Sequence, residues 1–265
     1  MTFPASPRVV FRTNPLEEVV CQLNFPTILE IGTEAAKFQN VIRDRYPLYE
    51  HEQSQFAIPK EIGEMIGQLP VQFPVDGGRH KFSTADGSKT ISLATEFVAL
   101  SDRDYESWEA FSEEVERARR ALEEKYGPAF YTRIGLRYRN VIDREKLGLQ
   151  GTPWQLLFKP SLLGLLGAED EIGEKVSEVA ARASIDLREI PGARITIRHG
   201  LGKRVANNKD VYLIDIDTYT GERSQSQHVD QILAHFHEVA GHFFRWAITD
   251  ALSTALGRRQ PARDV

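Results

Sequence analysis

Residues 131–142 read YTRIGLRYRNVI, and this stretch indicates the fold class. Its apolar residues alternate with arginines: Ile134, Leu136 and Tyr138 against Arg133, Arg137 and Arg139. A period of two is typical of a β-strand that has one buried face and one polar face. The stretch therefore predicts a strand in a sheet whose arginine side faces away from the core.

Further strands are predicted on both sides of this stretch. Alternation or short apolar runs between turn signals place them at 17–25, 48–58, 79–84, 89–97, 176–189, 193–199 and 211–219. Asp86-Gly87 and Pro191-Gly192 are typical turn pairs between successive strands. Residues 59–78 carry several prolines and glycines and are predicted to be irregular.

Helices are predicted where apolar residues recur at steps of three and four. The clearest runs from Trp108 to Tyr126 and ends at Gly127-Pro128. A second long helix is predicted over 227–251. Shorter helices are predicted over 33–46, with Thr33 as its cap, and over 154–166 despite interruptions at Pro160 and Gly164.

The order of these elements repeats along the chain, which suggests a tandem duplication. A shift of 121 positions carries the apolar stripe of the first long helix onto that of the second, namely Trp108, Phe111, Val115, Ala118, Leu122 and Tyr126 onto Val229, Ile232, Phe236, Val239, Phe243 and Ala247. The same shift carries 91–97 onto 212–218, and a shift of 115 carries 19–23 onto 134–138.

The expected fold is therefore α+β, built by tandem duplication of a strand-helix-three-strand-helix unit. Its helices would pack on one face of mainly antiparallel sheets. Residues 1–128 would form the first repeat and residues 129–265 the second, with one continuous domain as the alternative.

Composition narrows the function classes. The chain has 265 residues, a formal net charge of −5 and a pI near 5.9, so nothing in the overall charge favours nucleic acid as a partner. Cys21 is the only cysteine, which excludes an intramolecular disulfide and a multi-cysteine zinc site. No run of apolar residues suggests a signal peptide or a membrane span, so a cytoplasmic protein is predicted.

The polar face of the second repeat is the first candidate site. It is predicted to carry the three arginines of the opening stretch together with Arg194, Arg198, Asp215 and Asp217, and the adjoining loop adds Lys203 and Arg204. One interpretation is a solvated surface of cross-strand ion pairs. The other is a binding face, because planar guanidinium groups suit carboxylates and phosphates.

The segment ILAHFHEVAGHFFRW, residues 232–246, is the second candidate. His235, Glu238 and His242 share one side of the predicted helix at spacings of i, i+3 and i+7. Two helical turns separate the histidines by ~10 Å, which disfavours a single zinc ion. His237 and His242 are five residues apart, unlike the pair in the zinc-protease motif. No metal or cofactor is therefore expected, and no nucleophile elbow or dinucleotide fingerprint is present.

Three segments, NPLEEVVCQLNF, FYTRIGLRYRNVI and FFRWAITDAL, together resemble a sporadically distributed prokaryotic family of uncharacterised proteins. The resemblance covers nearly the whole chain and implies a cytoplasmic protein of about this length with no assigned activity. It supplies no catalytic residues.

From the residues themselves we expect a non-catalytic interaction or regulatory protein. Its arginine-rich sheet face would bind another protein or a small anionic ligand. The alternative is a metal-dependent hydrolase that uses His235, Glu238 and His242, with Glu238 as the base. Nucleic-acid binding through the Lys203–Lys209 loop is a third hypothesis, and the sequence is compatible with a homo-oligomer.

Overall fold

The structure, a computed structural model, describes residues 2–52, 78–168, 171–204 and 207–259. In these ranges the chain has an α+β fold. Its strands are β1 (Val10–Phe11), β2 (Leu16–Asn24), β3 (Leu48–Glu52), β4 (Arg79–Ser83), β5 (Lys89–Ala94), β6 (Phe97–Asp102), β7 (Arg133–Ile142), β8 (Ala181–Asp186), β9 (Ala193–Lys203), β10 (Asp210–Thr220) and β11 (Arg258–Arg259).

Two long helices and several short ones accompany the strands. The α-helices are α1 (Glu30–Glu34), α2 (Ala36–Ile42), α3 (Trp108–Tyr126), α4 (Glu171–Lys175), α5 (Val229–Ala247) and α6 (Asp250–Ala255). Short 3-10 turns occur at Trp154–Leu156, Pro160–Leu162, Gly164–Gly167 and Ser226–His228. No helix in the described ranges is both long and apolar enough to cross a membrane.

Nine strands form one antiparallel sheet in the order β3-β4-β5-β6-β2-β7-β10-β9-β8. At its centre β2 pairs with β7, so the strands that precede and follow α3 belong to the same sheet. The two short strands β1 and β11 form a separate pair, which ties the N-terminal segment to the end of the chain. The predicted mainly antiparallel α+β class is confirmed.

The strand registers sort the side chains onto two faces, because directly paired residues point to the same side of a sheet. A buried row crosses the centre through Ile91, Leu100, Cys21, Leu136, Thr218 and Ile195. We call this side the apolar face. The next row, on the opposite side, runs through Ser92, Ala99, Gln22, Gly135, Tyr219 and Arg194. We call that side the polar face.

Segments outside the sheet contact the apolar face at several points. The rings of Phe38 on α2 and Phe82 on β4 lie 5.6 Å apart. Tyr138 on β7 hydrogen-bonds to His237 on α5 at 2.8 Å. In the segment 154–167, the ring of Phe158 lies 4.3 Å from the ring of Tyr212 on β10. The large side chains buried here form one continuous hydrophobic core.

Helix α3 has the predicted bounds for identifiable local reasons. The Ser107 side chain accepts a hydrogen bond from the backbone N–H of Ala110 and caps the first turn. Gly127 ends the helix in the left-handed conformation, at φ 52°, which residues with a β-carbon rarely adopt. The apolar stripe through Phe111, Val115 and Leu122 is buried.

The predicted helix over 154–166 is wrong. The segment is instead three separate 3-10 turns. Pro160 has no N–H to continue a helix, and Gly164 adopts a left-handed φ of 53°. Apolar residues at short intervals fit a series of tight turns against the core as well as they fit a helix.

The predicted strand over 89–97 is also wrong in its extent. The chain turns at Thr95–Glu96, and β6, which sequence analysis missed, returns along β5. The shift of 121 that carried 91–97 onto 212–218 therefore equates β5 with β10. In the sheet, β6 is the strand that lies beside β2 as β10 lies beside β7.

Other boundaries need correction. Thr33 does not cap a helix over 33–46, because its hydroxyl donates to the carbonyl of Glu30 within α1. The helix predicted to reach 251 ends at Ala247, where Ile248 becomes extended and forms a bridge with Phe158. Of the strand predicted over 176–189, only Ala181–Asp186 forms a strand, which is β8. Of the predictions over 48–58 and 59–78, the residues from 53 to 77 lie outside the described residues.

Candidate functional site

The polar face brings most of the predicted binding residues together, because β7, β10 and β9 are neighbours. Arg133, Arg137 and Arg139 lie on β7, Arg194 and Arg198 on β9, and Asp215 and Asp217 on β10. Lys203 ends β9, and Arg204 follows it. The strand registers place the arginines and aspartates of β7, β9 and β10 on the polar face, whereas Lys203, which pairs with Asp210, falls on the opposite side of the sheet.

Asp215 is the centre of this surface. Its carboxylate is 1% exposed and accepts two hydrogen bonds from Arg137, at 2.6 and 3.0 Å. Arg198, itself buried, donates to the same carboxylate at 3.3 Å. One buried carboxylate therefore holds two guanidinium groups in fixed positions.

The remaining basic residues of the predicted set also have acidic neighbours. These ion pairs are Arg133–Asp217 at 3.5 Å, Arg139–Glu17 at 3.9 Å, Arg204–Glu17 at 2.7 Å, Arg194–Asp186 at 2.6 Å and Lys203–Asp210 at 2.9 Å. Burial raises the pKa of Asp217, and the nearby charge of Arg133 opposes that rise. A small anion at this surface would have to compete with carboxylates that are already in place.

The metal-binding trio of the alternative hypothesis, His235, Glu238 and His242, is not assembled. In the ranges that the structure describes, no three His, Cys, Asp or Glu side chains are grouped so as to hold a metal ion. Glu238 and His242 instead line a cavity beside α5.

That cavity lies on the apolar-face side of the sheet and has a volume of about 530 Å³. Its walls come from the N-terminal segment 5–16, the start of α3 and the middle of α5, and its floor includes Tyr138, Asn140 and Ile216 of β7 and β10. The volume falls within the range of about 300–1,000 Å³ that small-molecule sites occupy.

Aromatic and polar side chains converge in the cavity. The Trp108 ring stacks on the His237 ring, with centroids 4.6 Å apart and planes 6° from parallel. His237 Nδ1 lies 2.8 Å from the Tyr138 hydroxyl. Tyr105 meets Tyr138 edge to face, with centroids 6.0 Å apart. The cluster presents flat aromatic surfaces together with hydroxyl and imidazole groups.

Both titratable groups at the centre of this cluster are neutral at pH 7. Burial, together with the nearby charge of Arg8, lowers the pKa of His237 to about 4. Burial also raises the pKa of Tyr138 well above its ordinary value. A general acid or base works best when its pKa is near the working pH, so this pair is poorly matched to proton transfer at neutral pH.

Two arginines lie at the edge of the cavity in different electrostatic settings. Arg8 donates to both carboxylate oxygens of Glu109, at 2.6 and 2.8 Å. Within the described ranges, the side chain of Arg245 donates to Ser6 alone, from Nε to the hydroxyl at 2.7 Å and from Nη2 to the carbonyl at 3.4 Å. Burial and the charge of Arg8 both lower the pKa of Arg245.

Helices α3 and α5 run antiparallel, since Trp108 contacts His237 while Arg119, further along α3, contacts Asp230 near the start of α5. We call the Trp108 end, with the cavity and Arg245, the open end. The other end is the closed end, where the buried Arg119 donates to Glu123, Asp230 and the Ser226 hydroxyl.

Sequence analysis missed this cavity and treated His237 only as part of a histidine spacing. One signal was present on α5, where Ala234, His237 and Gly241 recur at i, i+3 and i+7. Two small residues beside a histidine on one helical stripe leave room for a ligand. The contributions of Arg8 and Tyr105 had no comparable signal.

Comparison with known proteins adds no relative. No protein-family model matches this chain, and no curated protein matches it significantly in sequence.

Proposed function

We propose that this protein is a non-catalytic binding protein that takes a small molecule into the cavity at the open end. The observation that carries the proposal is the convergence of Trp108, His237 and Tyr138 on a cavity of about 530 Å³. A large pocket with apolar walls and a few directed polar groups is the usual form of a small-molecule site. The neutral His237–Tyr138 pair supports binding rather than proton-transfer chemistry.

We also propose that the cavity arose between two duplicated units. The strand order is symmetric about the β2–β7 junction except for the extra strand β3. Cys21 pairs with Leu136, 115 positions later, and their outer neighbours Leu100 and Thr218 are 118 positions apart. Helices α3 and α5 each have 19 residues and begin 121 positions apart.

On this proposal α3 and α5 are equivalent helices on the apolar face, and the polar face is the other side of the same layer. The contact of α5 with Tyr138, and the stacking of Trp108 of α3 on His237 of α5, support this placement. The antiparallel helix pair then has two related ends, of which one is filled by ion pairs and the other holds the cavity.

The proposed function is tested by filling the cavity. Ala234 lines it from α5, so Ala234→Phe should exclude ligands, whereas Ala251→Phe adds the same group at an exposed position of α6. We expect at least one of two aromatic probes, 1-naphthoic acid and 1-naphthalenemethanol, to bind saturably in ligand-observed NMR. Its affinity should fall at least tenfold in Ala234→Phe and remain unchanged in Ala251→Phe. Equal affinity in both variants, each shown to fold by its unfolding midpoint, would exclude the cavity.

The polar face is a second candidate, as a docking surface for a protein that presents carboxylates. It is favoured by the exposure of two of its arginines, since the side chains of Arg139 and Arg194 are 44% and 52% exposed. Exposed guanidinium groups around a buried ion-paired centre can exchange weak partners for those of another protein. Capture of a partner that persists after Arg137→Ala and Arg139→Ala would exclude this face.

A further inference from the structure

We propose that the ligand of the cavity is a small organic anion with an apolar body, and that its anionic group pairs with Arg245. This inference rests on the proposed function, since it names the class of molecule that the cavity takes. Four features of the described residues support it.

The first feature is the lack of a compensating charge. Among the described residues, no carboxylate forms an ion pair with Arg245, and its hydrogen bonds go to the neutral groups of Ser6. A partly buried cation is costly unless an opposite charge accompanies it. An anion in the cavity would supply that charge.

The second feature is the contrast with the closed end. There Arg119 also donates to a serine hydroxyl, Ser226, but two carboxylates complete its surroundings, those of Glu123 and Asp230. The same pair of helices therefore compensates one internal arginine with its own side chains and leaves the other facing a cavity.

The third feature is the room made for the guanidinium group of Arg245. A β-carbon at position 241 would lie 2.8 Å from Arg245 Nη1, so the side chain of Arg245 lies across Gly241 one turn earlier on α5. Glycine inside a helix is destabilising relative to alanine. Gly241 is thus an unfavourable residue for the helix, but its missing side chain leaves space for the guanidinium group of Arg245.

The fourth feature is the apolar part of the cavity, whose lining also includes Glu106 and Glu238. The stacked Trp108–His237 pair offers a flat aromatic wall, and Ile216 and Ala240 add apolar surface. A ligand that satisfies both parts has an aromatic or alicyclic body and one carboxylate or phosphate. Arginine binds either group through paired N–H donors.

The test uses four probes with the full chain: 1-naphthoic acid, 1-naphthyl phosphate, neutral 1-naphthalenemethanol and acetate. Titration calorimetry with wild-type protein should show an anionic naphthyl probe binding at least tenfold more tightly than the alcohol, and acetate not binding measurably. Whichever of naphthoate or naphthyl phosphate binds more tightly identifies the anionic group.

Two variants assign the preference to Arg245. Arg245→Gln should weaken the anionic probe by about 10- to 100-fold, the value of a charged hydrogen bond, and leave the alcohol unchanged. Gly241→Ala keeps the charge but displaces the guanidinium group, so it should weaken the same probe while the helix remains stable. Arg120→Gln removes an exposed arginine of α3 that does not line the cavity and serves as the matched control.

The outcomes separate the two proposals. If the alcohol binds as tightly as the anions, or if Arg245→Gln weakens all naphthyl probes equally, the anion assignment is wrong and the cavity remains a binding site. If no naphthyl probe binds wild-type protein, both the assignment and the proposed function fail.

Discussion

The two ends of the α3–α5 helix pair handle an internal arginine in opposite ways. At the closed end, Arg119 has a 9% exposed side chain and is surrounded by Glu123, Asp230 and Ser226. At the open end, Arg245 donates to Ser6 and lines the cavity. A compensated internal charge is a structural element, whereas an uncompensated one beside a cavity is a site that a ligand can complete.

The two innermost arginines of the polar face are compensated within the fold, as Arg119 is. Arg137 and Arg198 share the buried carboxylate of Asp215, and so they resemble Arg119 more than Arg245. The number of arginines on a surface is thus a weak guide to anion binding. What decides is whether the fold already supplies the opposite charge.

The largest expected effect is the pH dependence of the unfolding free energy that His237, at the open end, causes. Its pKa is about 4 in the fold and near 6.5 in an unfolded chain, so the folded protein favours the neutral ring. The resulting stability is fully present above pH 6.5 and is lost as the pH falls from 6.5 to 4. At about 1.4 kcal/mol per pKa unit, the loss is about 3 kcal/mol.

His237→Asn provides the matched control, because an amide oxygen can replace Nδ1 as the partner of the Tyr138 hydroxyl without titrating. The charged groups that face the ring are Arg8, Glu109 and Arg245. The ion pair with Arg8 lowers the pKa of Glu109 to about 2, so these charges stay constant between pH 4 and 7. Urea unfolding should therefore show that, as the pH is lowered from 6.5 to 4, the free energy of unfolding decreases more in wild type than in the variant. Parallel profiles would mean that His237 is solvated and the open end is not a desolvated site.

The parts of the fold that depend on local pattern were predictable from the sequence. Helix α3 follows from its apolar spacing, the capping position of Ser107 and the Gly127-Pro128 stop. Strand β7 and the side on which Arg137 lies follow from alternation alone. In each case the information is contained within about twenty consecutive residues.

The errors arose where the local pattern was ambiguous or absent. The turn between β5 and β6 occurs at Thr95–Glu96, without the glycine, proline or asparagine that marks most tight turns, so one long strand was predicted. The segment containing Pro160 and Gly164 has apolar residues at intervals that suit both a helix and a series of 3-10 turns.

The candidate site was hidden for a different reason. Arg8, Tyr105, Tyr138 and His237 come from four distant parts of the chain, and only the sheet order and the N-terminal segment bring them together. The lack of a carboxylate paired with Arg245 is also a three-dimensional fact, because Glu238 and Asp250 lie only seven residues before it and five residues after it in sequence.

An effect of intermediate size compares the two arginines directly. Arg119→Gln removes charged hydrogen bonds to Glu123 and Asp230, and the unfolding free energy should fall by about 2 kcal/mol. Arg245→Gln, measured without ligand, removes an uncompensated cation, so the unfolding free energy should stay the same or rise by up to about 1 kcal/mol. Chemical denaturation of the two variants checks the difference. Equal losses would show that Arg245 is already compensated within the fold, and the distinction between the two ends would not hold.

The smallest effect concerns the ion pair that fastens the N-terminal segment over the open end. Arg8 and Glu109 have side chains that are 43% and 60% exposed, so their two hydrogen bonds compete with water. A double-mutant cycle with Arg8→Gln and Glu109→Gln should give a coupling energy of about 0.2–1 kcal/mol that shrinks in high salt. So weak an ion pair would hinder ligand entry little, while the β1–β11 pair and Phe3, packed 5.1 Å from Phe243, hold the two ends of the segment in place. A coupling above about 2 kcal/mol that persists in salt would mean that the segment is held firmly over the cavity. The open end would then differ from the closed end in its charges but would not admit a ligand more easily.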